Sequence, residues 1–405
     1  MPRPVNHQVF NYLKDGTRGM KIVHIAPTAP YNEGWSYQEN LLPKYQQKLG
    51  HEVILYVTNL EHKGGELVEC PCTDSITADG FRVVRKEKHR SSHIWAMGML
   101  TEIDIYDDLV REQPDFIFYH GLIDATIFQA TQYKKHINPG CVIVQDNHYD
   151  FNNGFNLHSL KGFIKRFVYS RVFRSNMAYI SKVYGVTPAR KTFAQRAFGV
   201  PSRMSDVLIM GADDEEILAA KERNMRVQIR SKYCVKEGEF LIVTGGRIDK
   251  GKNIHLLMKA VNALSGVKLI IFGNVYDDIK DEFDSELSEK VHWVGFIPSS
   301  EAYDYFMASD IVMFPGQHSV LWEQACAAKV PCAFNSINGL EHLNNGGNSI
   351  FIEDISVEGL KGTIISLLWT LKYYRMLDAA QSEKTDIYLY STIAQKSLEM
   401  AKEVS

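Results

Sequence analysis

The feature that most restricts the fold of this chain is a short apolar run that ends at a Pro, Gly or His and hands over to helical spacing, repeated along the sequence. Residues 20–27 read MKIVHIAP, a continuous apolar run. Runs of this kind, rather than alternating ones, suit parallel strands covered on both faces. A loop follows, TAPYNEGWSYQ, with one glycine, Gly34. Residues 40–49 have helical spacing, Gly50 stops them, and 51–57 form the next strand. That order is a βαβ unit. Further strands are expected at 81–84, 115–119, 141–145, 184–186 and 207–209, with helices over 95–111 and 157–178 and a loose arm over 1–19. A charged, helix-prone segment, 214–236, interrupts the alternation. It then restarts, with strands at 240–243, 267–272, 291–294, 311–314, 332–334 and 349–352. Each half is thus a doubly wound α/β pattern. The expected domains are 1–213 and 214–385, with 386–405 crossing back to the first domain as a helix over 390–404. Two such halves would leave a cleft between the C-terminal edges of their sheets.

A length of 405 residues accommodates two domains of this size. The formal net charge of −3 argues against a nucleic-acid partner. There is no apolar run of about 18 residues, and the N-terminal residues lack the apolar core of a signal peptide. A cytoplasmic protein is expected. Cys70, Cys72, Cys141, Cys234, Cys326 and Cys332 show neither a disulfide framework nor zinc spacing, so reduced thiols are expected. The sequence has no Asp-x-Asp clamp at a strand end, no His/Cys/carboxylate set at ligand spacing, no Gly-x-Ser-x-Gly elbow and no Walker loop. Neither a metal nor another cofactor is expected.

Chemistry is concentrated in two strand-to-helix turns of the second half. In 310–332, DIVMFPGQHSVLWEQACAAKVPC, a buried strand ends at Pro315. Ser319 is placed to cap a helix over 320–328, and Glu323 sits in its first turns. A strand end meeting a helix N-terminus is where phosphates bind in open α/β sheets. A carboxylate just beyond it suits ribose hydroxyls, so a nucleotide sugar is the expected ligand. The other turn, TGGRIDKGKN over 244–253, offers Gly246 for close backbone approach and the cations Arg247 and Lys252 for a diphosphate. A solvated basic turn is the plainer alternative. His148 and His120 end strands where catalytic groups project, although lone histidines are more often structural. The 157–178 helix mixes Lys161, Lys165, Arg166, Arg171 and Arg174 with Phe163, Phe167, Val168, Val172 and Phe173. It suits either an anionic membrane surface or a domain core with a solvated basic face.

With these pieces in this order, the chain resembles the retaining glycosyltransferases of the GT-B fold, glycosyltransferase family four. The likeness runs from residue 20 to about 404. It is carried by the first strand and loop, LGHEV over 49–53, Gly211-Ala212-Asp213, TGGRIDKGKN, IIFGN over 270–274, VHWVGFIPSSEAYDYFMASDIVMFP, and Glu323-Gln324-Ala325-Cys326. Asn338-Gly339-Leu340-Glu341 and Gly347-Asn348 match the next segment. The resemblance implies that Arg247 and Lys252 hold the donor diphosphate and that Glu323 accepts from the ribose. It implies that the backbone of Ser319, Val320 and Leu321 caps a phosphate and that Phe296 and Ile297 line the base. Gly246 and Asn274 border the donor, Gly34 lets the first loop approach the diphosphate, and His148 contacts the donor sugar. Two departures stand out. Where the family often has a first glutamate, separated from the second by seven residues, this chain has Pro315. Where it has Phe-Gly, this chain has His318-Ser319.

The implied activity is transfer of a sugar, UDP-linked, to an acceptor hydroxyl in cell-envelope or exported polysaccharide or glycoconjugate synthesis, without a metal. The implied partners are the nucleotide sugar and a saccharide or lipid-linked saccharide. Two rivals remain at this level. One is another enzyme of the fold, a nucleotide-sugar epimerase or a sugar phosphorylase. The other is a non-catalytic nucleotide-sugar-binding subunit, motivated by Pro315.

Overall fold

The computed structural model describes residues 19–402 except Gly64, Gly65, Ile94, Ala96, Met97, Asn152, Asn153, Leu157 and His158. The expected arm over 1–18, the first two residues of the 157–178 helix and positions 403–404 of the final helix lie outside the described residues. The chain divides into two compact units at Ile209/Met210, and at Ile393/Ala394 it returns to the first.

The first unit contains β1 (Lys21–Ala26), β2 (Glu52–Thr58), a hairpin of β3 (Leu60–Lys63) and β4 (Glu66–Glu69), β5 (Asp74–Ile76) and β6 (Arg82–Lys86). A ribbon of β7 (His89–Arg90) and β8 (Thr101–Glu102) precedes β9 (Phe116–Tyr119), β10 (Val142–Asn147), β11 (Lys182–Gly185) and β12 (Ser205–Val207). Eight of these form one sheet, in the order β12-β11-β10-β9-β1-β2-β6-β5. All pairs are parallel except β5 with β6. The order reverses between β1 and β9, so the loops after these strands diverge to opposite faces. Val23, Ile25, Ile54, Tyr56, Ile117, Tyr119 and Ile143 are fully buried in the core beneath.

The second unit contains β13 (Phe240–Gly245), β14 (Val267–Phe272), β15 (Val291–Trp293), β16 (Ile311–Phe314), β17 (Cys332–Asn335) and β18 (Ser349–Ile352). They pair in the order β15-β14-β13-β16-β17-β18, all parallel. Here the order reverses between β13 and β16. Both strands are completely buried, as their unbroken apolar runs require.

Several expectations need correction. Residues 95–111 do not form one helix. Thr101–Glu102 pairs with His89–Arg90, and among the described residues the α-helix covers only Tyr106–Glu112. Leu100 and Ile103 are apolar because they plug the core from a loop, with Gly98 in a left-handed conformation before them. The segment 214–236 is helical as expected, in two helices, Asp214–Arg223 and Arg226–Lys232, separated at Asn224, which has φ +46°. The helix after β16 is Leu321–Ala327, with Val320 rather than Ser319 at its N-cap. The Ser319 carbonyl instead accepts from the Trp322 N–H at 3.0 Å, a tight turn that delays the helix by one residue. All six cysteines are free.

Candidate functional site

At the switch point of the second sheet, the loops after β13 and β16 are tied together. The Gln317 N–H donates to the Gly251 carbonyl at 3.2 Å, Asn253 Nδ2 donates to the Pro315 carbonyl at 3.1 Å, and Lys252 Nζ donates to the Gln317 carbonyl at 2.6 Å. Lys252 therefore spans both loops. Burial lowers its pKa and the nearby Arg247 lowers it further, with Asp249 opposing. A half-buried ammonium that faces carbonyl oxygens beside a second cation is short of negative charge, which suits an anion. Arg247 is the more exposed of the pair. Its Nε reaches Asp249 Oδ2 at 2.6 Å, and its guanidinium lies 4.1 Å from the centre of the Tyr276 ring.

Glycine is required where the loops after β13 and β14 meet. Gly246 has φ +102° and Gly273 φ +121°. A Cβ on Gly273 would fall 1.8 Å from the Gly246 carbonyl oxygen. The same edge is stitched by Gly246 N–H to Phe272 O at 3.0 Å, Ile248 N–H to Asn274 O at 2.9 Å and Gly273 N–H to Gly295 O at 2.7 Å. This brings the residues expected around the base to one rim. Asn274 and Phe296 are exposed there, Phe296 at 71%, and Ile297 is half-buried. Ser319, Val320 and Leu321 are half-buried at the start of their helix.

Glu323 is completely buried, and sequence reasoning missed what holds it. His318 Nε2 donates to Oε1 and Oε2 at 2.9 and 3.1 Å, and His342 Nε2 lies 3.0 Å from Oε1. Burial alone would raise the pKa of this carboxyl. The two histidines outweigh it and pull the value down to about 2. His342 Nδ1 is buried without a partner among the described residues. Nothing in the spacing of His342, nineteen residues on, announces this contact.

In the first unit Gly34 lies exposed in the loop after β1, next to Trp35, which stacks on His62 at 5.5 Å. His148, just beyond β10, is half-exposed, and its Nε2 lies 3.3 Å from Asp146 Oδ2. Burial works against a charged His148, but Asp146 outweighs it and the pKa is raised. Asp146 Oδ2 also meets His120 Nδ1 at 3.1 Å, and Oδ1 accepts from the Gly121 N–H at 2.9 Å. Burial would raise the Asp146 pKa, yet His148 and His120 hold it well below the usual carboxylate range.

The chain of contacts continues inward. His120 Nε2 is 3.0 Å from His24 Nδ1, His24 Nε2 is 2.7 Å from Gln46 Oε1, and Gln46 Nε2 donates to Ser397 Oγ at 2.9 Å. Burial, with His120 beside it, drops the His24 pKa to about 3, so this ring is neutral. Facing an amide oxygen, its Nε2 donates, and its Nδ1 must accept from His120. His120 therefore lies between two partners, with Nε2 on His24 and Nδ1 on ionised Asp146. Possible ligand atoms of Glu39, His120 and His148 lie within 4.8 Å of one another. Both His120 nitrogens are already engaged in this arrangement, by His24 and Asp146.

Two doubly wound parallel sheets, each reversing strand order at its centre, define a GT-B fold, and solved structures of that class superpose on the chain. A glycosyltransferase from Rickettsia africae ESF-5 matches with a TM-score of 0.67 at 16% identity, covering 95% of this chain and 98% of that one. HepE from Anabaena, solved in complex with UDP, matches with a TM-score of 0.67 at 15% identity, covering 95% and 100%. A UDP-GlcNAc 2-epimerase from Neisseria meningitidis, bound to UDP-GlcNAc, matches at 0.57 and 12% identity, covering 95% and 100%. At these identities the likeness establishes the fold alone. Residues 225–383 match the family model of the glycosyl transferases group 1. No curated protein matches the chain in sequence.

Proposed function

We propose that the protein is a retaining glycosyltransferase of hexosyltransferase type that takes a UDP-linked sugar and delivers it to a hydroxyl of a saccharide or lipid-linked saccharide. Its setting in this reading is the cytoplasmic stage of cell-envelope or exported polysaccharide synthesis. The observation that carries this reading is Lys252, a half-buried cation joining the two loops at the switch point, with Arg247 beside it. Together they neutralise a diphosphate, and their charge is most valuable as the sugar–phosphate bond breaks. Glu323 takes the ribose hydroxyls. Its Oε2 is engaged by His318 only, so a hydroxyl reaches it by turning His318 aside. HepE, with UDP bound, is consistent with that donor. Configuration is retained if the departing diphosphate stays on the same face and accepts the acceptor's proton. The protein then supplies position and charge rather than a nucleophile, and no step needs a metal. His148, oriented by Asp146, is kept for the sugar contact that the resemblance implies.

The test is turnover of candidate UDP-sugars by Lys252→Ala and Arg247→Ala. Each is expected to lose about 10²–10³-fold while melting cooperatively. Wild-type rates in both would remove the diphosphate site. The likeness to an epimerase supports a second reading, and product analysis separates the two. An isomerised donor without transfer to any hydroxyl favours the epimerase.

A further inference from the structure

The helix Leu160–Asn176 is apolar on two opposite sides. Its start is fixed by Ser159, whose hydroxyl accepts from the Gly162 N–H at 3.0 Å. One side carries Val168, Tyr169, Val172 and Phe173 into the core of the first unit. At about 100° per residue, Leu160, Phe163 and Phe167 fall in an arc of about 60°, roughly opposite that side. All three are exposed, at 78%, 64% and 54%. Arg166 is exposed at the edge of this row, and Arg171 and Arg174 are exposed on the same side one to two turns further on. A row of large apolar side chains facing water across two turns of one helix marks a docking surface rather than ordinary exposure.

Charge says what docks there. From 151 to 205 the sequence has ten Lys or Arg (161, 165, 166, 171, 174, 182, 190, 191, 196 and 203) and no Asp or Glu, in a chain of net charge −3. We propose that this stripe is an interfacial anchor for an anionic membrane. Leu160, Phe163 and Phe167 enter the boundary between headgroups and acyl chains, while Arg166, Arg171 and Arg174 meet lipid phosphates. The helix lies on the surface rather than through it, since no described helix is long and apolar enough to cross a membrane. A second copy docked through the same stripe would set two cationic surfaces face to face. A nucleic acid would give Leu160 no apolar partner. The inference rests on this one helix and its charge, not on the donor chemistry. An acceptor carried on a lipid would then be met at the surface that holds it.

The test is flotation of the full chain with vesicles of phosphatidylcholine alone and with about 40% phosphatidylglycerol, at low and high salt. Binding is expected only to the anionic vesicles. It should weaken at least tenfold on raising NaCl from about 0.1 to about 0.5 M. Phe163→Ser with Phe167→Ser, and separately Arg166→Gln with Arg174→Gln, should each weaken it at least tenfold with unchanged melting. Failure to float, equal binding to neutral vesicles, or variants that bind like the parent would overturn the proposal. So would equal affinity for a single-stranded RNA of about 20 nucleotides, or self-association abolished by the Phe163/Phe167 pair. UDP-induced stabilisation, measured on the same samples, reports on the donor site separately.

Discussion

Each unit buries one carboxylate near the C-terminal edge of its sheet and sets two histidines on it, Asp146 with His120 and His148, and Glu323 with His318 and His342. The likeness ends beyond the first contacts. Around Asp146 the hydrogen bonds run inward through His24 and Gln46 to Ser397, every member buried and paired. Around Glu323, among the described residues, they stop at the histidines, and His342 Nδ1 has no partner. A closed network specifies its own geometry and holds a charge in the protein's interest. An open one keeps hydrogen-bonding capacity for something that arrives. The first unit thus uses its carboxylate to fix His148, and the second, in the reading proposed above, reserves its carboxylate for ribose.

The largest effect that separates the two is on stability. Asp146→Asn removes the buried carboxylate that His120 and His148 share, which costs about 3–5 kcal/mol. At roughly 2–4 °C per kcal/mol this lowers Tm by on the order of 10 °C. Glu323→Gln keeps an acceptor for a histidine and should cost only about 1–3 kcal/mol. Equal shifts in a melting experiment would erase the distinction. Next comes ligand affinity. Glu323→Gln should weaken UDP binding by about 10–100-fold in calorimetry, whereas Asp146→Asn should leave it within about twofold. The reverse pattern would move the ribose contact elsewhere.

The smallest effect is on pH dependence. His24 falls from its ordinary 6.5 to about 3 on folding, so the unfolded chain takes its proton first. Its contribution is full above pH 6.5 and is lost as pH falls towards 3. Glu323 falls from 4.5 to about 2, so its contribution is present above 4.5 and lost only below. Raised His148 opposes His24, stabilising below 6.5 and fading as pH rises through its folded value. His255 and His292 pull the second unit in the direction of His24, more weakly. Between pH 7 and 5, hydrogen exchange should therefore show β1, β9 and β10 losing up to about 1 kcal/mol per pH unit, with β13, β14 and β16 losing less. Parallel losses in both sheets would remove His24 from the account.

What could be read in the sequence follows the same divide between local and distant. The parallel strands were legible because burial on both faces forces unbroken apolar runs, and β14, β16 and β18 fall where those runs lie. The placement of Lys252, Arg247 and Glu323 at two strand-to-helix turns was legible because a strand end, a turn and a helix start are contiguous in the chain. The 95–111 segment misled because Leu100 and Ile103 are buried from a loop, and apolar spacing alone does not separate a plug from a helix. The partners of Asp146 and Glu323 were not legible. His24 meets His120 across 96 residues, and only the sheet order brings β1 beside β9. The second apolar side of the 160–176 helix was hidden for a related reason, since Phe163 and Phe173 look alike until one is seen to be covered.

The return of the chain to the first unit at Ala394 makes that unit discontinuous, and its deepest polar contact, Gln46 to Ser397, spans 351 residues. During synthesis the second unit, one uninterrupted segment, has all its own strands as soon as residue 352 is made. The first waits, with the amide of Gln46 unpaired, until residue 397 leaves the ribosome. Order of maturation is thereby written into connectivity, and the half that carries the histidine relay is the last to be completed.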